Sequence, residues 1–327
     1  MSDSASHRLA VFDARVPTAG TAAERRAFND ELRAACHETG AFYLTHHGIP
    51  ATLCQAVLQD AESFFALPPE SKAKLNIRHS KHFRGYSHMA NERDWREQMH
   101  FGLELPAPHD ATRSLQGPNL WPAELGDGWR ATMLTFLRAA GDAGQRLLAA
   151  LEPLFDLPSG YFARYAQPTP YLLMKLLHYY APQTGSTQQG IAPHCDWSWL
   201  TLLWQQGDGL QVRTRKGEWL AVPPRADALV VNLGELLALV TANECHAVPH
   251  QVVSQASRLS IPVFINPSLS AVIAPQPTPT DENPFAHVHR VVAPCQTLAP
   301  FVFGASEWRR KGLGLWCHDA QCRTAAG

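Results

Sequence analysis

Apolar residues recur at helical spacing in three segments of the N-terminal half of the chain. In the first segment, Phe28, Leu32 and Ala35 fall on one face, and Gly40 follows as a stop signal. The apolar run at residues 41–45 comes directly after that glycine and predicts a short strand. Amphipathic helices are predicted over residues 21–39, 51–66 and 129–151.

Beyond Pro158 the pattern changes to short apolar or alternating runs, separated by turn residues such as Gly207-Asp208-Gly209 and Pro223-Pro224. Many short strands at this spacing are typical of a sandwich or a barrel. The predicted strands cover residues 171–180, 200–205, 210–213, 219–222, 228–232, 251–253 and 258–265.

The order of these segments predicts an α+β fold. We expect a helical N-terminal layer packed on a double-stranded β-helix (jelly-roll) core, followed by a helical C-terminal tail. No flexible linker divides the layers, so residues 1–327 are predicted to form a single composite domain.

Composition and charge narrow the class of protein. The chain has 327 residues, 45% of them hydrophobic, which is enough to bury a sizeable core. The net charge is -1 and no run of Lys or Arg is long enough to suggest a polyanionic partner, so we expect neither a nucleic-acid partner nor a membrane partner. Seven scattered cysteines without a CxxC pair, and an N-terminus unlike a secretory signal, predict a cytoplasmic protein.

Candidate chemistry begins with His194-Cys195-Asp196. Residues two apart on an extended chain point to the same face, so His194 and Asp196 can address a single point. Either His246 or His250 would complete a two-His, one-carboxylate triad, the ligand set of non-haem Fe(II) oxygenases. The chain has 16 histidines, and the His-x-Asp pattern alone fits hydrogen-bonded or surface residues equally well.

Two further pairs of polar residues alternate on predicted strands. Arg258 and Ser260 would offer a planar guanidinium fork and a hydroxyl to a carboxylate. His178 and Tyr180 are also two residues apart, on a strand rich in Leu. Polar groups on buried strands need partners, which a bound dicarboxylate and a metal would supply. A hydrogen-bonded strand pair with Arg258 at the surface is the alternative.

A series of short motifs runs through nearly the whole chain. They are GAFYLTHHGI (40–49), FFALPPESKAKL (64–75), RGY (84–86), DWRE (94–97), PHCDWSWLTLL (193–203), GLQVR (209–213), WLAVPP (219–224), ALVVNLGELL (228–237), PHQVV (249–253) and RLSIPVF (258–264). In this order, the set resembles the isopenicillin N synthase-like family of iron(II)/2-oxoglutarate-dependent dioxygenases. The resemblance implies an N-terminal dioxygenase region at 8–115 and a jelly-roll Fe(II)/2-oxoglutarate core at 165–270.

The resemblance also implies roles for individual residues. The family's second histidine follows a proline, which matches His250 and not His246, so the implied Fe(II) ligands are His194, Asp196 and His250. By the same analogy Arg258 and Ser260 bind the distal carboxylate of 2-oxoglutarate. The resemblance further implies that Tyr180 assists in binding the cosubstrate and that Phe264 lines the substrate pocket; His178, where relatives usually carry Asn, is assigned to the cosubstrate site with Tyr180. Trp197 flanks the metal motif and is a further candidate for the pocket, with core packing as the alternative. Arg84 is a candidate for binding an acidic substrate, with pairing to a neighbouring carboxylate as the alternative.

The function implied is Fe(II)- and 2-oxoglutarate-dependent oxidation of a small-molecule metabolite with O2, by hydroxylation, desaturation or ring formation, in specialised-metabolite biosynthesis. Three alternatives stay open: an oxidase of the same fold that uses no 2-oxoglutarate, a non-catalytic metal- or ligand-binding module, and a zinc hydrolase. We expect a monomer or a weak homo-oligomer. The histidine-rich segment 79–100 is predicted to be a loop, either a lid over the substrate or a solvated surface loop.

Overall fold

Helices are concentrated in the first half of the chain and strands in the second. This computed structural model describes residues 8–104, 115–183, 185, 187–274 and 291–292. The α-helices are α1 (Val16–Ala19), α2 (Ala22–Glu38), α3 (Ala51–Phe65), α4 (Pro69–Lys74), α5 (Gly126–Leu151), α6 (Tyr161–Tyr165) and α7 (Glu235–Val240). The strands are β1 (Val11–Asp13), β2 (Ala41–Thr45), β3 (Gly85–Ala90), β4 (Trp95–Gly102), β5 (Leu172–Tyr179), β6 (Gln188–His194), β7 (Leu200–Gln206), β8 (Leu210–Arg213), β9 (Trp219–Ala221), β10 (Ala228–Leu233), β11 (His250–Ser254), β12 (Arg258–Ile265), β13 (Val272–Ile273) and β14 (Val291–Val292).

Two sheets build the core. The larger has eight strands in the order β1-β2-β10-β7-β12-β5-β4-β3, and the smaller has four in the order β6-β11-β8-β9. A cavity lined by residues of both sheets lies between them. This arrangement confirms the predicted α+β fold with a jelly-roll core.

The helices form a layer on the outer face of the larger sheet, as predicted. At the start of α2, Thr21 accepts a hydrogen bond from the Glu24 backbone, while the Glu24 side chain accepts one from the Thr21 backbone at 2.7 Å. This reciprocal capping box explains why the helix begins where the sequence predicts. Helix α5 lies close to the sheet because Gly144 has no side chain there: a Cβ atom would come within 2.6 Å of Ile265 Cγ1.

The N-terminal region shares the sheet of the core. Strand β2 pairs with β10 in antiparallel register and with β1 in parallel register. Phe12 and Phe42, one on each of β1 and β2, pack edge to face at 5.2 Å within the main hydrophobic core. The two halves of the chain are therefore joined by backbone hydrogen bonds as well as by packing.

The histidine-rich segment 79–100 differs from the prediction. Most of it forms the antiparallel pair β3 and β4, which continues the larger sheet from β5. Seven of the eight residues of β4 are buried, so no polar-outward alternation marks it as a strand in the sequence. The predicted helical C-terminal tail lies outside the described residues. Among the described helices, none is long and apolar enough to span a bilayer.

Candidate active site

Three side chains meet where β6 and β11 lie side by side. His194 ends β6, His250 begins β11, and the two residues are directly opposite each other in the ladder. Their ring centroids are 4.2 Å apart. Asp196 follows β6 by two residues, and its Oδ1 lies 3.9 Å from His194 Nε2 and 3.7 Å from His250 Nε2. The structure thus brings together the three predicted ligands.

Backbone carbonyls fix the orientation of both imidazoles. His194 Nδ1 lies 2.9 Å from the carbonyl oxygen of Ala192, and His250 Nδ1 lies 3.1 Å from that of Val248. Each Nδ1–H therefore donates to a carbonyl, and each Nε2 is left to bind a metal. Burial and the neighbouring His250 together lower the pKa of His194 to about 3, so the imidazole is neutral as metal binding requires.

The carboxylate of Asp196 is held in a similar way. Thr201 Oγ1 donates a hydrogen bond to Asp196 Oδ2 at 2.6 Å, which leaves Oδ1 facing the two histidines. The backbone N–H of Glu235 donates to the backbone carbonyl of Asp196 at 2.8 Å. Burial and the nearby Asp196 together raise the pKa of Glu235 to about 7.

His246, the alternative third ligand, does not belong to this cluster. Its Nε2 lies 3.1 Å from the carbonyl oxygen of Arg213, in an exposed contact. Within the described part of the chain, His194, Asp196 and His250 are the one group of three such residues whose ligand atoms all lie within 4.8 Å of one another. Two imidazoles and one carboxylate on a jelly roll define a non-haem metal enzyme, and this ligand set is characteristic of Fe(II) oxygenases.

Arg258 lies in the same cavity, at the start of β12, and is 3% exposed. Its Nη2 donates to Gln205 Oε1 at 2.7 Å, and its guanidinium carbon lies 4.9 Å from the centre of the Tyr179 ring. Its Nη1 is buried without a hydrogen-bond partner. Ser260, two residues along the same strand, also lines the cavity. A buried guanidinium with an unused donor beside a hydroxyl fits a ligand carboxylate.

His178 and Tyr180 are not brought to this cavity, which differs from the prediction. Tyr179 is directly opposite Arg258 in the ladder between β5 and β12, and it lines the cavity. His178, and Tyr180 just past the end of β5, point to the other face. There His178 Nδ1 lies 2.9 Å from Glu97 Oε1, and the His178 and Tyr180 rings are 5.0 Å apart.

Of the three predicted substrate-pocket residues, one lines the cavity and two do not. Phe264 on β12 lines the cavity, whereas Trp197 and Arg84 are not among its lining residues. Arg84 is buried, and its guanidinium donates to the backbone carbonyls of His82, Phe83 and Leu115. Through these contacts, Arg84 stabilises the conformation of the chain before β3.

Sequence reasoning missed five polar residues that line the cavity: Arg96, Gln98, Lys175, Thr201 and Asn232. Arg96 and Gln98 are two apart on β4, and Lys175 lies on the neighbouring β5. Alternate polar residues at 96, 98 and 100 are the one signal in the sequence that could have marked this face of β4.

Family models match two parts of the chain. Residues 11–124 match the N-terminal region described as "non-haem dioxygenase in morphine synthesis N-terminal". Residues 171–267 match the "2OG-Fe(II) oxygenase superfamily".

Known proteins are similar to this chain over most of its length. A 2-oxoglutarate-dependent dioxygenase of Gibberella zeae is 32% identical over 290 residues, covering 78% of this chain and 74% of the relative. Azadirone synthase LFS of Melia azedarach is 31% identical over 285 residues, covering 77% and 82%. The crystal structure of the full-length T7H of Neurospora crassa in complex with alpha-KG and thymine superposes with a TM-score of 0.77 at 22% identity, covering 92% of this chain and 99% of that chain.

The chain belongs to the 2OG-Fe(II) oxygenase superfamily. The resemblance seen in its motifs is thereby confirmed. The protein is an oxidoreductase, a dioxygenase that uses Fe(II), 2-oxoglutarate and O2 to oxidise a small molecule.

Proposed function

We propose that His194, Asp196 and His250 hold the Fe(II), and that Arg258 and Ser260 bind the distal carboxylate of 2-oxoglutarate. The observation that carries this assignment is the unused Nη1 of Arg258, buried in the same cavity as the three converging ligand atoms. A carboxylate there would satisfy that donor and balance the buried charge.

Tyr179 is assigned here the role that the family resemblance gave to Tyr180. Its ring lies against the Arg258 guanidinium. It therefore restricts the conformations of the side chain that is proposed to bind the cosubstrate. The guanidinium also donates a hydrogen bond to the amide oxygen of Gln205 at 2.7 Å. Both contacts preorganise Arg258 before the cosubstrate binds.

When bound, iron and 2-oxoglutarate supply the O2-derived oxidant that attacks a C–H bond of the substrate. The chain fixes the ligand atoms, excludes water and places the substrate. We assign the reaction to hydroxylation, desaturation or ring formation on a small-molecule metabolite in specialised-metabolite biosynthesis. The relative named azadirone synthase, similar over 77% of this chain, supports that setting.

Anaerobic titration of the Fe(II)-loaded protein with 2-oxoglutarate tests the assignment. The weak visible charge-transfer band of an iron-chelated keto acid is expected in the wild type and absent in His250→Ala. Arg258→Ala should require about 10- to 100-fold more 2-oxoglutarate, since it loses hydrogen bonds to a charged group. Arg225→Ala, at an exposed surface pair with Asp227, is the matched control and should titrate like the wild type.

Iron binding without the band would overturn the cosubstrate assignment in favour of an oxidase that uses no 2-oxoglutarate. A band that is equally strong in His250→Ala would overturn the ligand assignment.

The remaining assignments are proposals of the same kind. We assign residues 1–327 to one composite domain, with an N-terminal region at 8–115 and a catalytic core at 165–270, because β1–β4 continue the sheet of the core. A cytoplasmic monomer or weak homo-oligomer, with neither a nucleic-acid nor a membrane partner, agrees with the net charge of -1.

A further inference from the structure

Arg258, the proposed anchor of the cosubstrate, lies at the very end of a ladder. It is the first residue of β12 and pairs with Tyr179, the last residue of β5. Residues 255–257, which connect β11 to β12, are all exposed. Strand ends beside exposed connections open most readily, because few contacts restrain them. The position of the Arg258 guanidinium therefore depends on what restrains this connection.

A contact to this connection lies on the face of β5 and β12 that points away from the cavity. His178 is opposite Leu259 in the ladder, so Ser257 is its diagonal neighbour on that face. His178 Nε2 lies 2.9 Å from Ser257 Oγ. This hydrogen bond joins β5 to the residue immediately before Arg258. Because Tyr179 contacts the guanidinium on the cavity face, β5 restrains the end of β12 on both faces.

A buried carboxylate fixes the direction of the His178 ring. Glu97 is opposite His178 in the ladder between β4 and β5, and its Oε1 lies 2.9 Å from His178 Nδ1. An ionised carboxylate only accepts hydrogen bonds, so Nδ1–H donates to Glu97, and Nε2 of the neutral imidazole accepts from the Ser257 hydroxyl. Glu97 is 2% exposed and is itself held by Lys72 and Tyr86. The imidazole is therefore oriented towards Ser257 by a partner that cannot move freely.

We propose that His178 is a positioning residue for the cosubstrate: it acts through Ser257 and holds Arg258 where its guanidinium meets the distal carboxylate of 2-oxoglutarate. This role rests on the function proposed above and deepens it, since His178 touches neither the metal ligands nor the cavity. The contacts run from Glu97 through His178 to Ser257 and end beside Arg258. Loss of the single hydrogen bond to Ser257 is expected to weaken the binding of 2-oxoglutarate about 3- to 10-fold.

Two amide variants separate the two contacts of the imidazole. The amide nitrogen of Asn lies nearly where Nδ1 lies in His, and that of Gln nearly where Nε2 lies. His178→Asn should therefore keep the contact with Glu97 and lose the contact with Ser257, whereas His178→Gln should keep the contact with Ser257. We expect His178→Asn to bind 2-oxoglutarate about 3- to 10-fold more weakly than the wild type, and His178→Gln to stay within about 2-fold of it.

Two keto acids distinguish positioning of Arg258 from a general loss of structure. 2-Oxoglutarate and 2-oxopentanoate share the keto-acid end, but 2-oxopentanoate has a methyl group in place of the distal carboxylate. The full-length protein, loaded anaerobically with Fe(II), is titrated with each, and the charge-transfer band reports binding. His178→Asn should weaken the binding of 2-oxoglutarate and leave that of 2-oxopentanoate unchanged, because only the distal carboxylate meets the Arg258 guanidinium.

Ser257→Ala removes the other partner of the hydrogen bond and should show the same selective loss. His178→Asn combined with Ser257→Ala should lose no more affinity than either variant alone, since both interrupt one contact. Ser63→Ala is the matched control: the exposed Ser63 hydroxyl donates to the Gln59 carbonyl on α3, so this variant should bind both keto acids like the wild type.

Three results would overturn the proposal: unchanged affinity of His178→Asn for 2-oxoglutarate, an equal loss of affinity for both keto acids, or losses that add in the double variant. Arg258→Ala separates these failures from failure of the proposed function. If Arg258→Ala also binds 2-oxoglutarate like the wild type, the anchor assignment fails and the role of His178 fails with it. Thermal unfolding identifies a variant that does not fold, and Ser257→Ala, at an exposed position, then provides the test.

Discussion

The two oxygens of the Asp196 carboxylate have different contacts, because Thr201 binds one of them. Its hydroxyl occupies Oδ2 at 2.6 Å, so Oδ1 faces the two histidine Nε2 atoms. The Nδ1 atoms of the histidines are occupied by backbone carbonyls in the same manner. Partners of this kind fix the direction of each ligand before a metal arrives, and their loss typically weakens metal binding 10- to 100-fold.

Thr201→Val is therefore expected to weaken metal binding about 10- to 100-fold while the fold is retained, since the two side chains have nearly the same shape. Calorimetric titration with Mn(II) measures the effect. Thr241→Val is the control, because Thr241 is also buried and its hydroxyl donates to the Leu237 carbonyl at 2.8 Å, away from the ligands. Equal metal affinity in Thr201→Val and the wild type would contradict the role given to Thr201.

At this scale the sequence predicts metal ligands better than cosubstrate contacts. His194 and Asp196 are two apart on an extended chain, so their convergence follows from strand geometry alone. The doublet Tyr179-Tyr180 carries no such information, because either ring satisfies the motif and a shift of one residue exchanges the two faces of the strand. Only the pairing of Tyr179 with Arg258 decides which one lies in the cavity.

At the scale of elements, strand β4 carries polar residues on both of its faces. Arg96 and Gln98 line the cavity, whereas Glu97, Met99 and Phe101 face the helical layer. Glu97 accepts hydrogen bonds from Lys72 on α4 at 2.7 Å and from the Tyr86 hydroxyl on β3 at 2.8 Å. The buried Glu97 carboxylate therefore links α4 to the sheet on the face opposite the cavity.

Glu97→Gln is expected to lower the free energy of unfolding by about 3 kcal/mol at neutral pH, because it leaves the buried Lys72 ammonium without its counter-charge. Urea denaturation measures the change. Lys72→Met combined with Glu97→Gln should recover part of the loss, since the buried charge is then removed. Glu31→Gln, on the exposed face of α2, is the control.

The effect of Glu97→Gln on the free energy of unfolding depends on pH. Burial alone would raise the pKa of Glu97, but hydrogen bonds from His178, Lys72 and Tyr86 outweigh burial and hold it below the usual value of 4.5. The unfolded chain therefore takes up this proton first on acidification, and the stabilisation is lost as the pH falls through the folded pKa. Below about pH 4.5, the stability of Glu97→Gln should fall less steeply than that of the wild type.

The sequence predicts the long helices well and β4 poorly, for a physical reason. Helices α2 and α5 each bury one apolar stripe, and their polar residues face solvent, so the period of 3.6 is visible in the sequence. Strand β4 has a polar cavity on one face and both apolar packing and Glu97 on the other. Glu97 therefore interrupts the alternation that identifies a half-buried strand.

On the scale of the whole molecule, the metal site joins the two sheets. His194 and His250 belong to the four-stranded sheet, whereas Asp196 lies on the connection to β7 of the eight-stranded sheet. A ligand that binds only when these parts are assembled stabilises the assembled state by mass action.

Mn(II) at 100 times its dissociation constant should therefore stabilise the protein by about 2.7 kcal/mol, which corresponds to a rise in Tm of roughly 5 °C. Differential scanning calorimetry with Mn(II) and with excess chelator measures the difference. His250→Ala should lose the rise and His246→Ala should keep it, because His246 lies outside the cluster. The reverse result would assign the third ligand to His246.

Strands β3 and β4 lie at one end of the eight-stranded sheet, and β3 has a neighbour on one side only. Gln98 lines the cavity from β4 at this margin, whereas Arg258 lies on β12 near the middle of the sheet. We therefore expect a substitution of Gln98 to alter what the cavity accepts and to leave the proposed metal ligands and Arg258 in place. A lineage of such enzymes can therefore diverge in its products under selection while its oxidative chemistry is inherited unchanged.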